Sequence, residues 1–201
     1  MAKRMTDISM TKFVDFVMKA GTPKATVVRQ WKNRKDYTPS GDYYKSLRES
    51  IVESSRSGLG HSPIDAAVAN ASKSRHQNYI AMAKSYKKWM GRKKTVWFDP
   101  PKRTWSANGI GVWVKPELGL EIAGVRHVIK LYFKSDPLNK SRADILLQLM
   151  AESFPKHRAN GSVTILDVRQ SKSFTTASSS KNLSSQLAAE AAYWAALWPT
   201  V

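Results

Sequence analysis

The sequence contains no cysteine, which excludes disulfides, thiolate nucleophiles, iron–sulfur clusters and cysteine-ligated zinc. It also lacks long apolar runs: no stretch approaches the roughly 20 residues needed to span a bilayer. The opening Met1-Ala2-Lys3-Arg4-Met5 is basic, but no apolar segment long enough for a signal peptide follows it. The cytoplasm is therefore the expected compartment. There is no Gly-rich phosphate loop, since Gly109 and Gly111 are only two glycines before a strand, and no serine sits in G-x-S-x-G. His61, His76, His127 and His157 are scattered without metal-ligand spacing, so neither a metal site nor a resident cofactor is expected. No repeat of 20–50 residues is visible.

Acidic residues are the other scarcity: 15 Asp and Glu face 33 Lys and Arg, for a net charge of +18 in 201 residues. Both halves are basic, residues 1–100 carrying +12 and residues 101–201 carrying +6. A hydrophobic share of 42% supports an ordinary core. The charge excess opposes compaction by self-repulsion and implies a polyanionic partner. Nucleic acid fits best, because each neutralised phosphate releases condensed counterions. An acidic protein partner would satisfy the same field.

The order of elements points to an α+β fold, with a helical region over residues 1–95 and a sheet region over 96–201 that together could share one core. Phe13, Phe16, Val17 and Ala20 recur at helical spacing over about 11–20, with Ser9 or Thr11 as N-cap and Gly21 as the stop. Pro23 opens a short helix through Val27, Val28 and Trp31. A turn follows over residues 37–41, and Asp42 caps a third helix that turns Tyr44, Leu47 and Ile51 inward. Residues 54–63 read as a Ser/Gly-rich loop. A long helix over 64–90 then carries the stripe Tyr79, Met82, Ala83, Tyr86, Trp89 and Met90.

After residue 95 the period changes from 3.6 to 2. Strands are expected at 96–98, at 110–114, where Ile110, Val112 and Val114 alternate with Gly111, Trp113 and Lys115, at 125–134 and at 163–168. A helix beginning at Ser141 and a C-terminal helix from Leu183 to Trp198 flank them, with a polar linker over 174–182 between strand and helix. The expected order of this half is β–β–β–α–β–α.

The densest basic run lies over 84–103: Lys84, Lys87, Lys88, Arg92, Lys93, Lys94, Lys102 and Arg103 against Asp99 alone. Trp97 and Trp105 sit beside turn signals within and just after it, where exposed rings could stack on unpaired bases. Tyr86 and Trp89 have the spacing of core residues instead. A second candidate is a helix-turn-helix formed by the first two helices, which would present Lys24, Arg29 and Lys32 to DNA.

One family resemblance is carried by the β half. A helix, three strands, a helix and a fourth strand, with Glu117-Leu118-Gly119-Leu120-Glu121 followed by a strand bearing Lys130, resembles the PD-(D/E)XK, or restriction-endonuclease-like, core over about residues 65–170. The resemblance implies a nuclease in which acidic residues on adjacent strands hold magnesium or manganese and a lysine assists water attack. It places Glu121 in the first acidic position and Lys130 in the lysine position, with Glu117 or Asp167 as a migrated acid. The residue two before Lys130 is Val128, where that family has Glu or Asp. The expectation is therefore nucleic-acid binding without catalysis, as an accessory or subunit of a larger nucleic-acid-processing complex. A divalent-metal nuclease is the alternative from the resemblance, and an interaction protein for an acidic partner is the alternative from charge.

Overall fold

The computed structural model describes residues 8–34, 42–136, 138–176 and 180–201. The turn expected over 37–41 lies outside them. The chain is α+β. It begins with β1 (Ile8–Ser9), α1 (Met10–Val17), α2 (Pro23–Lys32), α3 (Lys45–Ser57), α4 (Ser62–Ala69) and α5 (Lys73–Met90). Five strands follow: β2 (Thr95–Trp97), β3 (Arg103–Ala107), β4 (Ile110–Val114), β5 (Leu118–Ile122) and β6 (Val125–Tyr132). The chain closes through α6 (Lys140–Ser153), α7 (Pro155–Ala159), β7 (Gly161–Asp167), β8 (Lys172–Thr176) and α8 (Lys181–Leu197), with a last 3-10 turn at Trp198–Thr200. Among the described residues no helix is long and apolar enough to cross a membrane.

The main sheet has the order β2-β5-β6-β7-β8. Its β2-β5 and β5-β6 pairs are antiparallel, β6-β7 is parallel across the α6–α7 connection, and β7-β8 is antiparallel. A smaller sheet, β1-β4-β3, is made when the β3–β4 hairpin accepts Ile8–Ser9 as a parallel edge. Alternation along the strands divides the interior in two. Val128, Tyr132, Val163 and Ile165 join α1, α2, α6, α8 and the small sheet in one core. Ile129, Leu131 and Leu166 point the other way, onto α3, α4 and α5. Packing thus crosses residue 95: α1 and α2 share a core with the C-terminal helices, while α3–α5 cover the opposite sheet face.

Several boundaries differ from the sequence reading. The stripe from Tyr79 to Met90 is buried as expected, but the long helix is two helices. Asn70 closes α4, and Ser72, with extended backbone (φ −58°, ψ 153°), opens α5. The loop expected over 54–63 shrinks because α3 continues to Ser57 and ends on Gly58 in the left-handed region, while α4 starts at Ser62. The first helix is capped by Ser9, whose Oγ accepts from Lys12 N (3.3 Å), and ends earlier than expected, at Val17. Tyr44 takes the N-cap position of α3, and the Asp42 side chain binds Arg48 instead. Asn139, accepting from Arg142 N, caps α6, which starts at Lys140, one residue ahead of the expected Ser141. The polar linker begins as β8, whose Lys172–Thr176 pairs with β7. Strands β3 and β5 complete the sheets in stretches where none was expected.

Candidate nucleic-acid interface

A cleft of about 760 Å³ opens where α3, the end of β2 and the outer face of the β3–β4 hairpin meet. Local rules place its walls. Ile110, Val112 and Val114 of β4 are buried, so the intervening Trp113 faces outward and is 40% exposed. Lys115 keeps the same alternation, and its ammonium lies 3.7 Å from the Trp113 ring centroid. On the facing wall, α3 turns Leu47 and Ile51 into the core, and the four-residue spacing of Arg48, Val52 and Arg56 carries that row into the cleft. β2 delivers Trp97, whose indole N–H donates to Asp99 Oδ1 (3.2 Å). The segment 98–102 then leads to Lys102. Its course is fixed by a close approach at Gly119, where a Cβ would lie 2.2 Å from the Phe98 carbonyl oxygen and 2.8 Å from its ring.

The floor is Glu117 and Lys130. Glu117 N donates to Ile129 O (3.0 Å) just beyond the last residue pair of the β5–β6 ladder. Its carboxylate then takes over as partner to β6: Oε2 accepts from Leu131 N (2.8 Å), and Oε1 forms an ion pair with the Lys130 ammonium. Lys130 also donates to the Lys115 carbonyl (3.1 Å). The side chains are 17% and 13% exposed for Lys130 and Glu117, which makes this pair the least solvated charge of the cleft.

Five cationic side chains line the cleft against three carboxylates, Asp42, Asp99 and Glu117. Each carboxylate is already engaged: Asp42 by Arg48 (2.7 Å), Asp99 by Trp97 and Glu117 by Lys130. Arg56 makes an exposed contact to Glu53 at 3.5 Å. Among the described residues Lys102 and Lys115 join no ion pair. The cleft therefore keeps positive charge that its own acids do not neutralise, with two indoles beside it.

The predicted site residues separate sharply. Of the basic run, Lys102 lines the cleft and Trp97 is beside it. Lys84, Lys88, Arg92, Lys93, Lys94 and Arg103 are exposed on α5, in the turn after it or at the start of β3. Lys87 pairs with Asp65 (2.5 Å), and the Lys93 ammonium folds over the Trp89 ring, 4.9 Å from its centroid. Trp105 is not an exposed stacking residue: it is 7% exposed, packs on Phe13 and donates its N–H to Glu152 (2.6 Å).

The helix-turn-helix reading loses its basic face. Lys24 is 5% exposed, ion-paired with Glu190 of α8, and lies over the Phe16 and Tyr193 rings. Lys32 donates to the carbonyls of Trp198 (2.9 Å) and Val201 (2.5 Å). Arg29 stays exposed. The second helix is docked against α8 and does not project.

For the candidate acids the geometry selects Glu117. Glu121 sits opposite Arg126, at the other end of the β5–β6 ladder, and pairs with it at 3.5 Å. Arg126 is four residues from Lys130, roughly 13 Å along a strand. Asp167 is 3% exposed and spends both oxygens on backbone N–H groups, of Leu138 (3.4 Å) and Gln170 (3.1 Å). Val128 is fully buried in the first core. Among the described residues no group of three or more His, Asp or Glu could hold a metal ion. His127 is half-buried, with Nδ1 2.7 Å from Ser162 Oγ and 3.3 Å from Thr164 Oγ1, and burial lowers its pKa. The Tyr86 pKa is pushed up to about 12 by burial, against the opposing effect of its hydrogen bond with Ser55.

Trp113, Lys115, Arg48 and Arg56 were not among the sequence candidates. The signals for them exist, as the period-2 alternation of β4 and the period-4 row of α3. What the sequence does not carry is that these two rows face each other.

No family model and no curated protein matches the sequence. One solved structure similar to this chain is the crystal structure of SSO0001, with 10% identity and a TM-score of 0.41 over 98% of this chain and 79% of that one.

Proposed function

We propose that this protein binds nucleic acid through the phosphate backbone, without catalysis, as an accessory or subunit of a larger nucleic-acid-processing complex. The observation that carries this reading is the cleft itself. Arg48, Arg56, Lys102, Lys115 and Lys130 converge there, and Lys102 and Lys115 have no carboxylate partner among the described residues. Unneutralised cations gathered in a concave site focus the field and favour a polyanion. The overall charge of +18 adds long-range attraction to it. Replacing Lys102 and Lys115 together by Glu should weaken binding of a labelled oligonucleotide by roughly tenfold or more at moderate salt. The same double reversal at Arg92 and Lys93 should cost much less. Equal losses from the two variants would move the contact out of the cleft and onto the α5–β2 turn.

A second reading, a divalent-metal nuclease, is favoured by one specific observation. Glu117, just ahead of β5, meets Lys130 of β6, and the chain order α5-β2-β5-β6-α6-β7 supports the PD-(D/E)XK resemblance once the β3–β4 hairpin is treated as an insertion. Cleavage of an oligonucleotide with magnesium or manganese that disappears in Glu117→Gln and in Lys130→Ala would select it.

A further inference from the structure

On the premise that the cleft binds nucleic acid, we infer that its ligand is an unpaired strand, with at least one base stacked on the outward-facing indole of Trp113. In a duplex both faces of every internal base are covered by neighbouring base pairs, so a protein indole has no base face to meet. A single strand can splay its bases and offer those faces. Trp113 is suited to such contact. It is 40% exposed although it lies in the central strand of its sheet, between β1 and β3. Its backbone is therefore held on both sides, by Ser9 and Thr104 in register, while its ring stands free of the core. A rigid base under an exposed aromatic ring keeps the entropy cost of stacking low.

The charges around the ring agree with that assignment. The Lys115 ammonium rests 3.7 Å from the ring centroid, where the π face holds it without a carboxylate. One side-chain swing takes it from the ring to the phosphate of a stacked nucleotide and uncovers the ring face. Lys102 lines the same cleft beside Trp97, which is partly buried against the second core, and supplies a further cation for the backbone of the strand. A volume of about 760 Å³ falls within the ordinary range of small-ligand pockets, roughly 300–1,000 Å³, which is room for a base and its phosphate.

The test uses fluorescence anisotropy with three probes of equal length: an oligothymidylate, an abasic strand with the same phosphates, and a duplex. The wild type should prefer oligothymidylate to duplex by about tenfold or more. Trp113→Ala should lose roughly 5- to 150-fold on oligothymidylate, the equivalent of about 1–3 kcal/mol of stacking, and change little on the abasic strand. Trp113→Phe should recover most of the loss. The wild-type comparison of oligothymidylate with abasic strand tests the stacking without any substitution, and stands even if Trp113→Ala folds poorly. Equal or tighter binding of duplex, or equal losses on the abasic strand, would overturn the single-strand inference and leave phosphate binding standing. Absence of binding to all three probes would remove both.

Discussion

Glu117 separates a binding cleft from a catalytic one, because the two uses of the site respond to its neutralisation in opposite ways. Its side chain does two structural jobs, holding the Lys130 ammonium and accepting from Leu131 N beyond the end of the ladder. Removing one partner of a fully buried pair costs about 3–5 kcal/mol. With 13–17% of each side chain still exposed, about 2–3 kcal/mol is the better figure. The unpaired Leu131 N–H adds about 1–2 kcal/mol. Glu117→Ala should therefore lower unfolding free energy by about 3–5 kcal/mol. Glu117→Gln keeps an oxygen acceptor for Leu131 and should cost about 1–2 kcal/mol less. Urea denaturation with tryptophan fluorescence reads both. Glu117→Gln also removes a negative charge from the cleft that we propose binds phosphate. Even at the dielectric of water, an anion about 4 Å from the bound phosphate costs about 1 kcal/mol, so affinity should rise about fivefold. Weaker binding by a folded Glu117→Gln protein would refute this account of the site. A nuclease would instead show cleavage by the wild type and none by this variant.

Other parts of the fold make further predictions. Lys24→Ala leaves Glu190 facing the aromatic junction of α1, α2 and α8 without its cation, and should destabilise by about 2–4 kcal/mol in chemical denaturation with oligonucleotide affinity unchanged. Gly119→Ala would drive a Cβ to 2.2 Å from the Phe98 carbonyl oxygen. It should cost about 3 kcal/mol or more and, in whatever folds, weaken binding by displacing the segment that carries Asp99 and Lys102. His127 has its pKa lowered from 6.5 by burial, so between its folded and unfolded pKa values the unfolded chain binds more protons. Its contribution to stability is complete above the ordinary histidine range and is lost as pH falls through it towards the lowered folded value. The fall in melting temperature from about pH 7.5 to about pH 5.5 should be smaller in His127→Gln than in the wild type; an identical fall would rule His127 out as a contributor.

What was legible in the sequence depended on whether the cause was local. The α5 stripe and the alternation in β4 and β6 are period signals, and burial follows them. Strands β3, β5 and β8 were not legible because their own sequences, RTWSA, LGLEI and KSFTT, are polar or interrupted by glycine. They are strands because neighbours pair with them. The break between α4 and α5 had a local signal, Asn70 and Ser72, that the longer apolar pattern obscured. Lys24 is a different case. A lysine on a short basic helix reads as a surface charge, and the carboxylate that buries it is 166 residues away. The cleft shares that difficulty: residues 42–56, 97–102, 113–117 and 130 are brought together by sheet order and by α3 packing on β2 and β5. The charge excess was visible from composition, while the cleft that gathers part of it required the fold.

The most direct test is the salt dependence of oligonucleotide affinity for the wild type and for Lys102→Glu combined with Lys115→Glu. If the two lysines contact phosphates, the slope of log affinity against log salt should become shallower by about 1.4, from roughly 0.7 per single-strand phosphate contact, and affinity should fall at every salt concentration. An unchanged slope with unchanged affinity would contradict the assignment of the cleft as the phosphate-binding site.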